Sequence, residues 1–244
     1  MNIKVVGIDC ATDPKKVGLS LGMYIDGEIN LLRARLGTKE SSLAKTIYDW
    51  IDKEEKVLLA IDAPLGWPVN LGKHLENHNA GESIDVDSNS LFRRETDKFI
   101  KRKIGKQSLD VGADRIARTA HAALKILHEL RRLTGENISL AWSNKTNTRI
   151  SAIEVYPAAT LECYNIVSSG YKDKNKILIR KKIINELGKH LNFTDSIALL
   201  EENADILDST ICLLAAKDFI EGNVYYPEDI EVAKKESWIW VKNI

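Results

Sequence analysis

The stretch Lys4-Val5-Val6-Gly7-Ile8-Asp9-Cys10-Ala11 constrains this chain more than any other: an apolar, strand-like run that carries one carboxylate near its end. A charge inside a buried strand is costly unless something binds it. Asp9 therefore requires partners from elsewhere in the sequence, and the rest of the chain is read for them.

Strand patterns follow at once. Val17–Ile25 and Glu28–Leu36 are joined through Asp26-Gly27, and Asp-Gly between alternating runs is a strong hairpin signal. With Ile3–Asp9 they predict a three-strand antiparallel meander. Ser41-Ser42 precedes Leu43, Ala44, Ile47, Tyr48 and Ile51, an N-cap followed by an apolar helical face. Lys56-Val57-Leu58-Leu59-Ala60-Ile61-Asp62 then reads as a buried strand reached through a helical crossover. It also ends on an aspartate, and Pro64, Gly66 and Pro68 stop it.

Residues 69–150 change character and are expected to form an insertion capping one end of the sheet within a single domain of residues 1–244. Asn70–Ser90 is polar and expected as a loop; Phe92–Lys103 and Ala113–Leu133 are expected helices; Asn137–Thr148 is polar again. Arg149–Pro157 restores a strand, carrying Glu154 near its end. Lys174–Leu191, Thr194–Leu200 and Glu201–Ile220 are expected helices, the last bearing Asp205 and Asp208, and Ser237–Val241 a short closing strand.

Composition excludes several classes. Hydrophobic content of 44% supports a core without staples, and 29% charged residues is ordinary for a soluble globular protein. Formal net charge is zero, so only local patches can favour a polyanion. Cys10, Cys163 and Cys212 lie far apart in apolar settings and are expected as reduced core residues. The first residues enter a strand without a signal-peptide h-region, and the apolar run Ile211–Ala216 is too short to span a bilayer. The expectation is a soluble cytoplasmic protein with no membrane association.

Carboxylates thus recur in four apolar elements: Asp9, Asp62, Glu154 and the pair Asp205/Asp208, which share one helix face at a spacing of three. A single aspartate at a strand end is commonly a turn residue; recurrence is what points to a site. Gathered carboxylates repel, a divalent cation removes the penalty, and oxygen ligands select Mg2+ or Mn2+.

The segments Gly7-Ile8-Asp9-Cys10-Ala11, Ala60–Pro68 (Ala-Ile-Asp-Ala-Pro-Leu-Gly-Trp-Pro), Glu154-Val155-Tyr156-Pro157-Ala158 and Ala204–Ser209 resemble, in this order, the motifs of a family of unknown function predicted to be RNase-H-fold nucleases. The resemblance extends over nearly the whole chain and includes Arg94, Asp97 and Trp238-Ile239. It implies an α/β, RNase-H-like fold: a five-stranded mixed sheet, the three-strand meander plus two parallel strands, flanked by helices. It also implies a metal-dependent nuclease acting on nucleic acid or nucleotide. Asp9 would bridge two Mg2+ or Mn2+ ions, with Asp62, Glu154 and Asp208 or Asp205 completing the shells. Where the family commonly has Ala, this chain has Ser209, and the choice between Asp205 and Asp208 stays open.

Residues 93–132 hold twelve Lys or Arg against five Asp or Glu, which reads either as a phosphate-tracking face or as a solvated helix surface. Arg94, Lys98 and Arg102 are candidate substrate contacts from this run. Arg94 and Asp97 are also spaced to pair. Trp67 is a candidate for stacking on a base or for packing under the insertion. The basic run Lys172–Lys189 is read as a solvated face. His74 and His78 are four apart but have no third ligand in sequence. Two other readings remain: an ATP-handling protein of the actin and sugar-kinase type, for which Asp9–Pro14 is a poor phosphate loop, and a non-catalytic module that binds nucleic acid or protein.

Overall fold

A computed structural model describes residues 2–51, 55–112, 114–193 and 197–244. Ala113, the expected first residue of one helix, and residues 194–196, the expected start of another, lie outside these.

The meander forms from β1 (Ile3–Asp9), β2 (Gly18–Ile25) and β3 (Glu28–Leu36), each antiparallel to the next. Its tight turn is the expected one: Asp26 and Gly27 both have positive φ, 49° and 91°, as a two-residue turn matching strand twist requires. Ser42 caps α1 (Leu43–Trp50), its hydroxyl accepting from the Lys45 amide. The chain then enters β4 (Lys56–Asp62), which lies parallel to β1 with Asp9 directly beside Asp62. β6 (Ile150–Glu154) runs parallel to β4 on its other side.

The sheet has seven strands, not five, in the order β5-β6-β4-β1-β2-β3-β7. The additional strands, β5 (Ser139–Leu140) and β7 (Asn192–Phe193), are two-residue parallel pairings at the two edges. Two residues carry no periodicity, so only the neighbouring strand's free edge defines them. Ser237–Val241, expected as a strand, contributes a single parallel bridge from Ile239 to Glu154, and the adjacent Lys242 bridges Val224.

Between β4 and β6 run α2 (Val69–Leu75), α3 (Ser88–Phe92), α4 (Glu95–Ile104) and α5 (Asp114–Thr134). The expected loop at 70–90 thus contains two short helices, the second capped by the Asp87 carboxylate on the Asn89 and Ser90 amides. After β6 come α6 (Pro157–Cys163), α7 (Ile177–Leu187), α8 (Ile197–Glu202), α9 (Ala204–Glu221) and α10 (Ile230–Glu236). No helix among the described residues is long and apolar enough to cross a membrane. The three cysteines are free, Cys163 and Cys212 buried and Cys10 half-buried.

Alternation along the strands divides the core in two. Ile3, Val5, Leu58 and Ala60 join the α9 side, whereas Val6, Ile8, Leu59 and Ile61 join the side that includes Ala44 and Ile47 of α1 and Ala123 and Leu127 of α5. α9 is buried on nearly every face, as a helix sandwiched between a sheet and other helices must be. It lies unusually close to the sheet. A Cβ on Gly7 would overlap the carbonyl oxygen of Ser209, and one on Gly18 that of Asp205. Buried hydroxyls hold the contact: Ser20 lies 2.7 Å from Ser209 Oγ and 2.9 Å from Thr210 Oγ1. Ser209, where the resembled family commonly has Ala, therefore has a specific partner on β2.

Gly7→Ala is expected to push α9 off the sheet and cost about 2–3 kcal/mol, because backbone cannot yield as a side chain can. Denaturant unfolding of the variant against the parent measures this.

Candidate metal centre

Three chain segments deliver carboxylates to one point. Parallel register sets Asp9 and Asp62 side by side at the ends of β1 and β4. Each continues the pleat of the residues that face α9, namely Val5 on β1 and Leu58 and Ala60 on β4. The glycine-mediated approach of α9 brings in Asp208, which has no exposed surface. One oxygen from each of Asp9, Asp62 and Asp208 lies within 4.8 Å of the others.

This grouping is electrostatically unfavourable. Burial, then the charges of Asp208 and Asp62, push the Asp9 carboxyl well above the usual carboxylate range. Burial raises Asp62 to about 7; Lys172 opposes the shift, while Asp208 and Glu154 add to it. Asp205, half-buried one turn before Asp208, is raised by burial and by Asp208. It stands outside the three-oxygen cluster, so Asp208 is the member of the pair that the fold brings to Asp9 and Asp62.

Tyr171, without a signal in the sequence, and Lys172, read there as part of a solvated basic face, complete the surroundings. Tyr171 donates its hydroxyl to Asp208 Oδ1 at 2.6 Å. The Lys172 ammonium pairs with Asp208 Oδ2 at 2.6 Å. Burial lowers the Lys172 pKa, but Asp208, Asp62 and Asp9 outweigh it and hold it above the ordinary lysine value. The Lys172 side chain is 62% exposed, so its charge approaches from the open side. Both residues sit in the loop between α6 and α7, where Gly170 at φ 75° reverses the chain. That loop carries no periodicity, and Lys172 looked like the first member of a solvated basic run.

The cluster opens into a cleft of about 400 Å³ walled by Tyr156, Leu109, and Ile116 and Thr119 of α5. Glu154 and Arg94 line the same cleft but are committed to each other. Glu154 pairs in register with Ile61, one residue out of step with Asp62, and shares the pleat of Ile150 and Ala152 on the opposite side of the sheet. Its oxygens accept from Arg94 Nη1 and Nη2 at 2.9 and 2.8 Å and from the Leu65 amide at 2.9 Å. Arg94 spends its remaining donors on Asp97, through Nε and Nη2 at 3.0 Å each, and on the Glu236 carbonyl at 3.1 Å. All five guanidinium N–H groups are thereby used. Expected as a substrate contact, Arg94 has no donor left for one. The Glu236 carboxylate in turn accepts from the Val69 and Glu95 amides, both at 2.7 Å. This network pins the segment that follows Asp62.

The other expected contacts lie elsewhere. Lys98 pairs with Glu95 at 2.8 Å, and Arg102 lines a separate cavity between α4 and α10, 3.8 Å from Glu228. Trp67 is half-buried and does not line the cleft. His74 and His78 belong to no metal-ligand cluster among the described residues.

The fold and site define an α/β protein with a buried carboxylate cluster at the ends of two parallel strands. The chain belongs to the family described as "Protein of unknown function (DUF429)", which matches residues 7–232. Among solved structures it is similar to "T. thermophilus RuvC in complex with Holliday junction substrate", at 11% identity and a TM-score of 0.33, over 90% of this chain and 96% of that one. A likeness at that level carries no weight for function. No curated protein matches the chain.

Two outcomes are expected. Because Asp9 and Asp62 have raised pKa values, the folded state keeps protons that the unfolded chain releases. Without metal, stability should therefore fall as pH rises from 3.8 to about 7. Asp62→Asn should flatten this dependence; Mg2+ or Mn2+ is expected to raise the melting temperature of the parent at pH 8 but not that of Asp62→Asn, and melting curves in EDTA and in metal test both. Arg94→Ala should cost about 3–5 kcal/mol by stranding buried carboxylates, read from denaturant titration at neutral pH.

Proposed function

We propose that this protein is a metal-dependent phosphodiester hydrolase, a nuclease, in which Asp9, Asp62 and Asp208 hold a pair of Mg2+ or Mn2+ ions. The observation that carries the reading is the convergence of three carboxylates, with oxygens within 4.8 Å, two of which, Asp9 and Asp62, line an open cleft. The donor set fits such ions: it is all-oxygen and anionic. Bound there, divalent ions would polarise a phosphodiester and stabilise the charge developing on it.

The chain's own residues supply the rest. Tyr171 fixes the rotamer of Asp208 through Oδ1, and Lys172 meets Oδ2. Lys172 carries a positive charge at the mouth of the cleft, suited to partial neutralisation of the cluster and to attraction of a phosphate. Glu154 and Arg94 act as positioning residues: they hold the Leu65 amide, and with it the turn after Asp62. Leu109 and Ile116 give the cleft an apolar wall.

The test is cleavage of labelled DNA and RNA, single- and double-stranded, by the purified chain in Mg2+ or Mn2+. Cleavage is expected in metal and not in EDTA, and Asp9→Asn should lower it roughly a hundredfold or more, the scale of removing one electrostatic contact from a reacting centre. Cleavage undiminished in Asp9→Asn, or none with any substrate in either metal, would overturn the reading.

A further inference from the structure

We propose that one exposed face of α5 is a docking surface for the phosphodiester backbone of a nucleic acid. Arg115, Arg118, His121, Lys125, His128 and Arg132 recur at spacings of three and four, and all are exposed, so they form a single stripe along the helix. At 1.5 Å per residue the stripe is about 25 Å long, the axial span of about seven phosphates of one strand. The acidic residues of α5 are Asp114, at its first position, and Glu129, which lies 4.0 Å from Lys125. Among the described residues Arg115, Arg118 and Arg132 have no ion-pair partner.

Continuity with the cleft fixes the direction. Ile116 and Thr119, on the adjoining face of the same helix, line the cleft with Asp9 and Asp62. Thr12, three residues beyond Asp9, forms a shallow groove with Arg118, His121 and Lys125. A strand laid along the stripe thus runs past Thr12 towards the carboxylates. The opposite face of α5, including Ala120, Ala123, Leu127 and Leu130, is buried in the core, which leaves no apolar surface to insert into a membrane. The cations in and just before α4 are a poorer candidate: Arg93, Lys98 and Arg102 each face an acidic partner, Lys101 reaches the Gly105 carbonyl, and Lys103 lies over the Tyr225 ring.

This inference rests on the phosphodiester reading of the cleft, and the two are separated by measuring binding without divalent ions. The experiment is fluorescence anisotropy of labelled duplex and single-stranded oligonucleotides with the full chain in EDTA, over a range of salt. Replacing Arg118, Lys125 and Arg132 together by Gln should reduce the slope of log K against log salt by about 2.7 on duplex, or about 2.1 on single strands. The melting temperature should stay that of the parent. Arg118→Lys with Arg132→Lys should retain the slope, as should Lys98→Gln with Arg102→Gln on α4. Binding with this pattern but without metal-dependent cleavage would sustain the docking surface while sinking the hydrolase. An unchanged slope in the triple variant, an equal loss in the α4 variant, or no binding by the parent would overturn the docking surface even if cleavage occurs.

Discussion

The repulsion among Asp9, Asp62 and Asp208 is the constraint on which the rest of the structure depends. Nothing in folding alone favours three buried or half-buried carboxylates meeting at one point, and burial together with mutual charge holds two of them well above their ordinary pKa. The fold accepts that cost through backbone geometry. Parallel register aligns two of the aspartates, and side-chain-free positions at Gly7 and Gly18 let α9 carry in the third. The large apolar interfaces on both faces of the sheet make the arrangement tolerable. Lys172 offsets part of the charge from the solvent side.

A second buried charge cluster lies beside the first and behaves in the opposite way. Arg94, Glu154, Asp97 and the Glu236 carbonyl satisfy each other: every guanidinium N–H has an acceptor, and Glu154 also binds the Leu65 amide. Such a closed network fixes geometry and has little capacity left for a ligand. Adjacent groups of similar composition thus differ: one is closed by hydrogen bonds, whereas the other leaves Asp9 and Asp62 repelling each other with Lys172 as the counter-charge. That difference, more than proximity, separates scaffold from candidate site.

Much of this was legible along the chain. The meander, its Asp26-Gly27 turn, the Ser42 cap and β4 each carry a local signal of period or capping, and local signals survive folding when tertiary contacts agree with them. The edge strands β5 and β7 were not legible, because two-residue pairings are defined by the partner. Asp9, Asp62 and Asp208 were visible as carboxylates in apolar elements. Glu154 had the same appearance, yet it stands one residue out of step in the pleat and meets Arg94 instead. Tyr171 carries no signal, and Lys172 reads as one member of a solvated basic run, because both belong to an aperiodic loop whose position depends on everything around it.

The sequence by itself determined which elements form and which of them carry charge: apolar strands ending in aspartate, an all-round apolar helix that opens with Asp205 and Asp208, and a basic run over residues 93–132. Period, capping and turn chemistry act between near neighbours, so they are written in the chain. The tertiary structure alone decided which charges meet. Convergence of Asp9 with Asp62 and Asp208, and diversion of Glu154 to Arg94, depend on register between strands and on how closely α9 rests upon the sheet. Those are contacts between distant segments, and no local pattern encodes them.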